Sequence, residues 1–416
     1  MKTEIIAVGS ELLTPDFQDT NSLFLTAGLN GIGWGVSFKT VVGDDESDIA
    51  RVFRTALGRS RLILSMGGLG PTEDDRTRET LAKVLGLKLV FRKDLLARIR
   101  ERFRRRGLDL PPSNRKQCYV IEGAEVLDNP NGTAPGLWLA TARHRIALLP
   151  GPPREIRPMF ENHVLPRLAA GGKGSMVRRS IRLTGLGESS MESLMTPVYA
   201  AVPAGISVTT LASPGDLSIR LTYMGPAPLA AASLDALEKK IKEALSPWIY
   251  SLNGDNLESV VGALLKGKGK TVACAESCTG GLLGHRLTGV RGSSAYFLES
   301  AVVYSNASKT RRLGVPKSLL DKHGAVSAAS ARAMAVGIRK TAGADFGLSV
   351  TGIAGPDGGT TRKPVGLVYI ALAHEKGVVV ARNLFFGGRA QVKFQSSQKA
   401  LDVLRIFLIK GTRKAL

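Results

Sequence analysis

Five short motifs in the last third of the chain gather hydroxyls, an amine and glycines, residue types that could carry a reaction such as hydrolysis of a carboxamide. They are Ala275-Glu-Ser-Cys-Thr-Gly-Gly281, Gly292-Ser-Ser-Ala-Tyr-Phe297, Tyr304-Ser-Asn-Ala-Ser-Lys309, Val350-Thr-Gly-Ile-Ala-Gly-Pro-Asp-Gly-Gly359 and Gly387-Gly-Arg389. That reaction needs a nucleophile, a base to take its proton, donors for the oxyanion and an acid for the departing ammonia. None of these motifs contains a histidine, which makes His285 and His323 poor candidates for a triad. A lysine whose pKa is lowered by burial can act as the base instead, and Lys309 is the candidate. In the first motif a strand gives way to a helix near Gly280. Free amides there offer an anion pocket, with the Ser277 and Thr279 hydroxyls facing the same point. The plain alternative for that serine and threonine is a helix N-cap.

A second cluster lies near the N-terminus, in Leu64-Ser-Met-Gly-Gly-Leu-Gly-Pro-Thr-Glu-Asp-Asp75. It follows a buried apolar run, so Gly67, Gly68 and Gly70 fall where ligands bind at the carboxyl edge of an open sheet. Their backbone amides can approach an anion closely. Thr72 adds a hydroxyl, and Asp74 with Asp75 can hold a divalent cation against phosphate oxygens. The bland reading is a strand-to-helix turn whose acidic residues favour the helix start.

The elements that must position these clusters read as α/β throughout. Strands are expected at Glu4–Gly9, Val36–Val42 and Leu62–Met66, with helices at Asn21–Leu29, closed by Gly31, and at Ser47–Leu57. This is the signature of a parallel sheet covered by helices on both faces. The Gly-rich, basic stretch Ala169–Gly174 marks a first boundary. Beyond it, strands at Arg179–Leu183, Ile206–Leu211 and Leu217–Met224, with helices at Ser189–Ala201 and Leu229–Leu245, form a small α+β module. Gly262–Lys270, rich in Gly and Lys, precedes a second α/β region. Its expected strands are Thr271–Ala275, Leu298–Val303, Phe346–Val350, Val365–Leu372 and Gly377–Phe386, and a helix at Ala390–Ile409 ends it. The fold class is therefore two three-layer α/β domains with mainly parallel or mixed sheets, over 1–170 and 256–416. The small α+β module occupies 175–252 between them.

With 416 residues, 44% of them apolar, the chain can bury two or three cores. The net charge of +22 invites a nucleic-acid reading. The densest basic run, Arg98–Arg106, interleaves with Leu95, Leu96, Ile99 and Phe103 at helical spacing and reads as an amphipathic helix with a solvated arginine face. Nucleic-acid binding is thus the unfavoured alternative, and a basic surface equally attracts small phosphorylated substrates. Three cysteines suit a reducing compartment, and Cys274 with Cys278 lacks a second ligand pair for a metal. No apolar run is long enough to cross a membrane and no signal-peptide core is visible, so a cytoplasmic protein is expected.

The Gly-loop cluster, together with Gly9-Ser-Glu-Leu-Leu13, Asn129-Pro-Asn-Gly-Thr-Ala-Pro-Gly136 and Leu149-Pro-Gly-Pro-Pro-Arg154, resembles the molybdopterin-binding-like domain of the competence/damage-inducible protein CinA family. The C-terminal motifs, in their order, resemble the nicotinamide-nucleotide amidase domain of the same family, and the middle module is KH-like. The first resemblance implies metal-dependent hydrolysis of ADP-ribose at its pyrophosphate. Gly67, Gly68, Gly70 and Thr72 would line the phosphate site, with Asn131, Gly132 and Thr133 on the opposite wall. Gly9 and Glu11 would come from the first strand's exit, and Asp44, Asp74 and Asp75 would hold an unidentified divalent metal. Ser10 departs from the acidic residue that many relatives carry there. A pterin-binding or inactive N-terminal domain is the alternative, and RNA binding through the KH-like module is an alternative of another class.

The second resemblance implies conversion of nicotinamide mononucleotide to nicotinic acid mononucleotide and ammonia, without a cofactor. Ser294 would be the nucleophile, with Ser277 as the second choice, a pair that sequence leaves open. Lys309 would be the base and Tyr304 its hydrogen-bonding partner. Glu276, Thr279, Gly280, Gly281, Thr351, Gly352 and Gly355 would contact substrate, and Arg389 would grip the phosphate. The partners implied are small phosphorylated nucleotides and a second copy in a homodimer.

Overall fold

The computed structural model describes residues 2–169, 175–225 and 227–411. They divide into two compact units. One is built from the chain up to 177 with 223–231, the other from 178–222 with the chain from 232 onward. The expected boundary at Ala169–Gly174 lies, from residue 170 on, outside the described residues.

The first unit alternates β1 (Thr3–Val8), α1 (Asn21–Gly31), β2 (Phe38–Val42), α2 (Glu46–Arg59), β3 (Leu62–Met66) and α3 (Thr77–Leu85). A ribbon of β4 (Leu89–Phe91) follows, then α4 (Lys93–Arg104) and the ribbon's second strand β5 (Tyr119–Ile121). The strands β6 (Glu125–Leu127), β7 (Gly136–Ala140) and β8 (Arg145–Leu149) lead into α5 (Pro153–Met159) and, after one π-helical turn, α6 (Leu165–Ala169). The sheet order is β2-β1-β3-β8-β7-β6. Its first four strands are parallel, and β7 and β6 return antiparallel. Each central strand is apolar on both faces. Ile5 and Ala7 of β1 pack with Leu25, Leu29 and Phe160, while Ile6 and Val8 pack with Ile49, Phe53 and Leu81. This double burial gives continuous apolar runs in place of alternation.

The middle module, β9 (Ser175–Leu183), α7 (Glu188–Tyr199), β10 (Ile206–Ser213), β11 (Asp216–Gly225), α8 (Ala227–Leu245) and β12 (Ile249–Ser251), makes a four-stranded sheet ordered β10-β11-β9-β12. The chain then runs α9 (Leu257–Gly267), β13 (Val272–Glu276), α10 (Leu282–Thr288), β14 (Phe297–Val302), α11 (Asn306–Leu313), α12 (Lys317–His323), α13 (Ala328–Ala342), β15 (Phe346–Gly352), β16 (Leu367–His374), β17 (Gly377–Leu384) and α14 (Arg389–Lys410), all in the second unit. The sheet order is β14-β13-β15-β16-β17. Its first three strands are parallel and the last two antiparallel. Cys274 faces α9, α10 and α14, while Ala273 and Ala275 face α11, α12 and α13. No helix among the described residues is long and apolar enough to cross a membrane.

Two local expectations are corrected. Gly31 lies inside α1, and it is Gly33, at φ 81°, that takes the left-handed conformation beyond the helix. The Gly- and Lys-rich segment that precedes the second α/β region begins inside a helix: Leu257, Val261 and Leu265 recur at helical spacing, are buried, and carry α9 through Gly262. Gly262 is required there because a Cβ would come within 2.5 Å of the Tyr296 hydroxyl.

Candidate active site

Strand β13 ends in Glu276, and the chain turns at once. Ser277 donates its amide to Val350 O, and Gly280 closes the turn on Ser277 O at 3.2 Å. Gly280 and Gly281 take φ of 60° and 96°, so the turn needs residues without a Cβ. Glu276 is fully buried, and its carboxylate accepts the amides of Gly281, Leu283 and Gly284 together with the Ser300 hydroxyl, all within 3.0 Å. The start of α10 is therefore capped from inside and is not the anion pocket expected from sequence. Within this turn, among the described residues, the amides of Cys278 and Thr279, which follow Ser277 directly, donate to no backbone or side-chain oxygen. The Thr279 hydroxyl beside them is buried without a partner among the described residues.

Lys309 reaches the same turn from α11, whose N-cap Ser305 fixes the helix start. Its side chain is fully buried. Nζ lies 3.1 Å from Ser277 Oγ, 2.9 Å from Val303 O and 3.0 Å from Tyr304 O. No carboxylate forms an ion pair with it among the described residues, and burial pushes its pKa below the ordinary lysine value. A neutral amine here gives two N–H bonds to the two carbonyls and turns its lone pair to the Ser277 hydroxyl. Cys278, next to Ser277, is held as a thiol, its pKa pushed up to about 12 by burial.

Ser294 does not join this group. It is exposed on a 3₁₀ turn before β14, at the end of the sheet where Phe297 pairs with Val272. Ser277 and Lys309 sit at the opposite end, a strand of six residues at about 3.3 Å each away. The Tyr304 hydroxyl also points elsewhere: it accepts from Arg389 Nη2 at 3.3 Å, and only its backbone carbonyl meets Lys309. Arg389 in turn donates Nη1 to Gly355 O at 2.9 Å. Its guanidinium thus ties Tyr304 to the Gly355 loop and is not a free fork for phosphate. Thr351 is buried with its hydroxyl donated to Ala325 O, and Gly352 is pressed against Leu367 and Val368.

In the first unit the Gly loop lines a cavity of about 370 Å³ with Gly9, Glu11, Asp44, Asp74, Asp75 and Thr133. Gly67 sits at φ 91°, and a Cβ there would fall 2.1 Å from Val8 O. Thr72 turns inward on the loop, donating its amide and hydroxyl to Asp75 Oδ2. The Asp44 carboxylate accepts the Ser10 amide at 2.8 Å, and the Asp44 amide donates to the Ser10 hydroxyl oxygen at 3.1 Å. Asn131 donates to Arg154 O, and Gly132 leaves room for the Glu155 carboxylate, to which Asn129 donates at 2.8 Å.

Family models for a probable molybdopterin binding domain, a damage-inducible protein CinA KH domain and a CinA C-terminal domain match residues 4–170, 178–251 and 254–408. A CinA-like protein of Koribacter versatilis is 45% identical over 98% of this chain and all of its own. A CinA-like protein of Solibacter usitatus is 44% identical over the whole of both chains. A putative competence-damage inducible protein of Moorella thermoacetica is 43% identical, covering 97% of this chain and 98% of its own. The chain belongs to the CinA family.

Within this CinA chain, several residues at the sites escaped the sequence reading. Glu155, Gln117 and Gly151 line the N-terminal cavity, and only the Pro-Gly-Pro-Pro motif hinted at that wall. Lys393, in the second turn of α14, carries its Nζ 3.6 Å from where a Gly280 Cβ would lie, over the Ser277 turn. Spacing within α14 gives no sign of this. No three His, Cys, Asp or Glu side chains converge to hold a metal among the described residues. Asp44, Asp74 and Asp75 are therefore not a closed cage. The donor set fits a hard cation that takes one or two carboxylates and completes its shell with phosphate oxygens and water.

Proposed function

We propose that the C-terminal site is a serine amidase that converts nicotinamide mononucleotide to nicotinic acid mononucleotide and ammonia. The observation that carries this reading is the fully buried Lys309 amine, without a counter-ion among the described residues, 3.1 Å from the Ser277 hydroxyl. Lys309 takes the Ser277 proton as Oγ bonds to the carboxamide carbon. The free amides of Cys278 and Thr279 face the oxyanion, as the amide after the nucleophile does in a nucleophile elbow. The Lys309 ammonium then protonates the departing nitrogen, which leaves as ammonia. Water, deprotonated by the same amine, splits the Ser277 ester and frees the carboxylate. Ser277 thus replaces Ser294 as the nucleophile, and Lys393 over the Gly280 turn replaces Arg389 as the cation for the phosphate. The test is ammonia release without added metal by wild type, Ser277→Ala, Lys309→Met and Ser294→Ala. Only Ser294→Ala should remain active, and an active Lys309→Met protein sinks the reading.

For the N-terminal cavity the reading supported by the Gly loop and its acidic rim is hydrolysis of ADP-ribose to AMP and ribose 5-phosphate. Asp74 and Asp75 would hold the divalent cation, which supplies charge neutralisation at the diphosphate. Incubation with ADP-ribose or with molybdopterin, plus a divalent salt, separates this from pterin binding by product. Asp75→Asn should abolish AMP formation and leave ammonia release intact.

A further inference from the structure

Behind the wall of the N-terminal cavity lies a second, larger hollow of about 520 Å³. One side is the α4 face that carries Arg98, Arg102 and, just beyond the helix, Arg105, residues four and three apart and so on one face. The other side is β6, the outer strand of the sheet, with no neighbour beyond it among the described residues. The lining is apolar on its floor, where Leu95, Ile99 and Val126 meet, and charged at its rim, where three arginines stand with Glu101 and Asp128. A hollow of this size holds a nucleoside, since small-ligand pockets span about 300 to 1,000 Å³.

The three arginines are not equivalent. Arg98 pairs with Asp128 and Arg105 with Glu101, both in exposed ion pairs that contribute little and exchange readily. Arg102 has no carboxylate among the described residues. It donates Nη1 to Pro130 O at 3.0 Å and to Asn129 O at 3.4 Å, neutral acceptors that leave its charge uncompensated. A phosphate would be the stronger partner, because bonds from guanidinium to an ionised oxygen are about twice as strong as neutral ones.

The carbonyls that Arg102 holds open the segment 129–135, which separates this groove from the Gly-loop cavity, and Thr133 lines both spaces. On the cavity side the same segment is fixed by Asn129 to Glu155 and by Asn131 to Arg154 O. We propose that the groove between α4 and β6 is a second nucleotide site, which takes a nucleoside monophosphate with its phosphate at Arg102 and its base against the apolar floor. Occupancy draws Arg102 off the Asn129 and Pro130 carbonyls, so the ligand acts on the wall it shares with the Gly-loop cavity.

The test is calorimetric titration of the full-length protein with AMP. Four proteins are compared: wild type, Arg102→Gln, Ala97→Trp and Asp75→Asn. Ala97 is exposed on α4 and lines the groove, so tryptophan fills the space without disturbing the core or the Arg102 clamp. It keeps the test decisive where Arg102→Gln loosens the segment. A groove site shows saturable binding that weakens about tenfold or more in Arg102→Gln and in Ala97→Trp and is unchanged in Asp75→Asn. Binding lost in Asp75→Asn and untouched by Ala97→Trp places the nucleotide in the Gly-loop cavity and overturns the proposal. So does the absence of saturable heat up to millimolar AMP.

Discussion

Lys309 Nζ and Ser277 Oγ lie 3.1 Å apart in the second unit, the amine fully buried and the hydroxyl at the edge of accessibility. Burial is the main cause that moves the Lys309 pKa, and it moves it down from 10.5. Only the neutral amine is a base, so kcat/KM for ammonia release should rise with pH through the lowered value and level off above it. The unfolded chain holds this proton up to 10.5, so between the two values it binds more protons than the native state, and stability should also rise with pH there. Below the folded value the cost of the buried charge is fully present. A rate profile with no rising limb at any pH below 10.5 would remove Lys309 from the base role.

Cys278 offers a rival nucleophile one residue along, and its environment argues against it. Thiolate, not thiol, attacks, and burial holds this group protonated with a pKa of about 12. Cys274 and Cys118 are also buried, and their pKa values are likewise raised by desolvation. Iodoacetamide at pH 8 should therefore leave ammonia release unchanged, and mass spectrometry of the native protein should show no carbamidomethylation. Loss of activity matched by alkylation of Cys278 would shift the chemistry to sulfur.

The fold was legible where one physical constraint dominated. Strands buried on both faces, such as Leu62–Met66 and Val272–Glu276, read as apolar runs, and the amphipathic period of α4 showed through its arginines. What stayed hidden depends on which end of a sheet a residue reaches. Ser277 and Ser294 sit in equally suggestive motifs, and only the parallel register of β13 with β14 puts one beside Lys309 and the other at the far end. Lys393 was invisible because nothing local records that the start of α14 overhangs the Gly280 turn. Glu276 was legible as a site residue but not as a clamp, since its partners are backbone amides, which carry no sequence signal.

That clamp gives a stability prediction. The Glu276 carboxylate accepts three amides and one hydroxyl from a fully buried position. In Glu276→Gln one oxygen becomes an NH₂ that faces donors, leaving at least one buried amide unsatisfied. The expected loss is about 2 kcal/mol, read from urea unfolding of the C-terminal half of the transition. Ammonia release should fall as well, because the amides of Cys278 and Thr279 are set by the same turn. An unchanged unfolding midpoint would mean that the carboxylate does not hold the turn.

The sequence reading assigns the substrate phosphate to Arg389, whereas the proposed mechanism gives it to Lys393 and leaves Arg389 to order the Gly355 loop. The Arg389 guanidinium is spent on the Gly355 carbonyl and the Tyr304 hydroxyl, so its removal frees the loop that flanks the site. Lys393 forms no ion pair or hydrogen bond among the described residues, and its Nζ hangs over Gly280. A cation that meets substrate and transition state alike changes KM and leaves kcat nearly constant, whereas a group that orders the site changes kcat. Lys393→Ala should therefore raise KM for nicotinamide mononucleotide about tenfold at nearly constant kcat, the loss expected for one charge-assisted phosphate contact. It should leave any activity on unphosphorylated nicotinamide riboside untouched. Arg389→Ala should lower kcat on both compounds. Equal losses of Lys393→Ala on the phosphorylated and unphosphorylated compounds would show that this lysine does not read the phosphate.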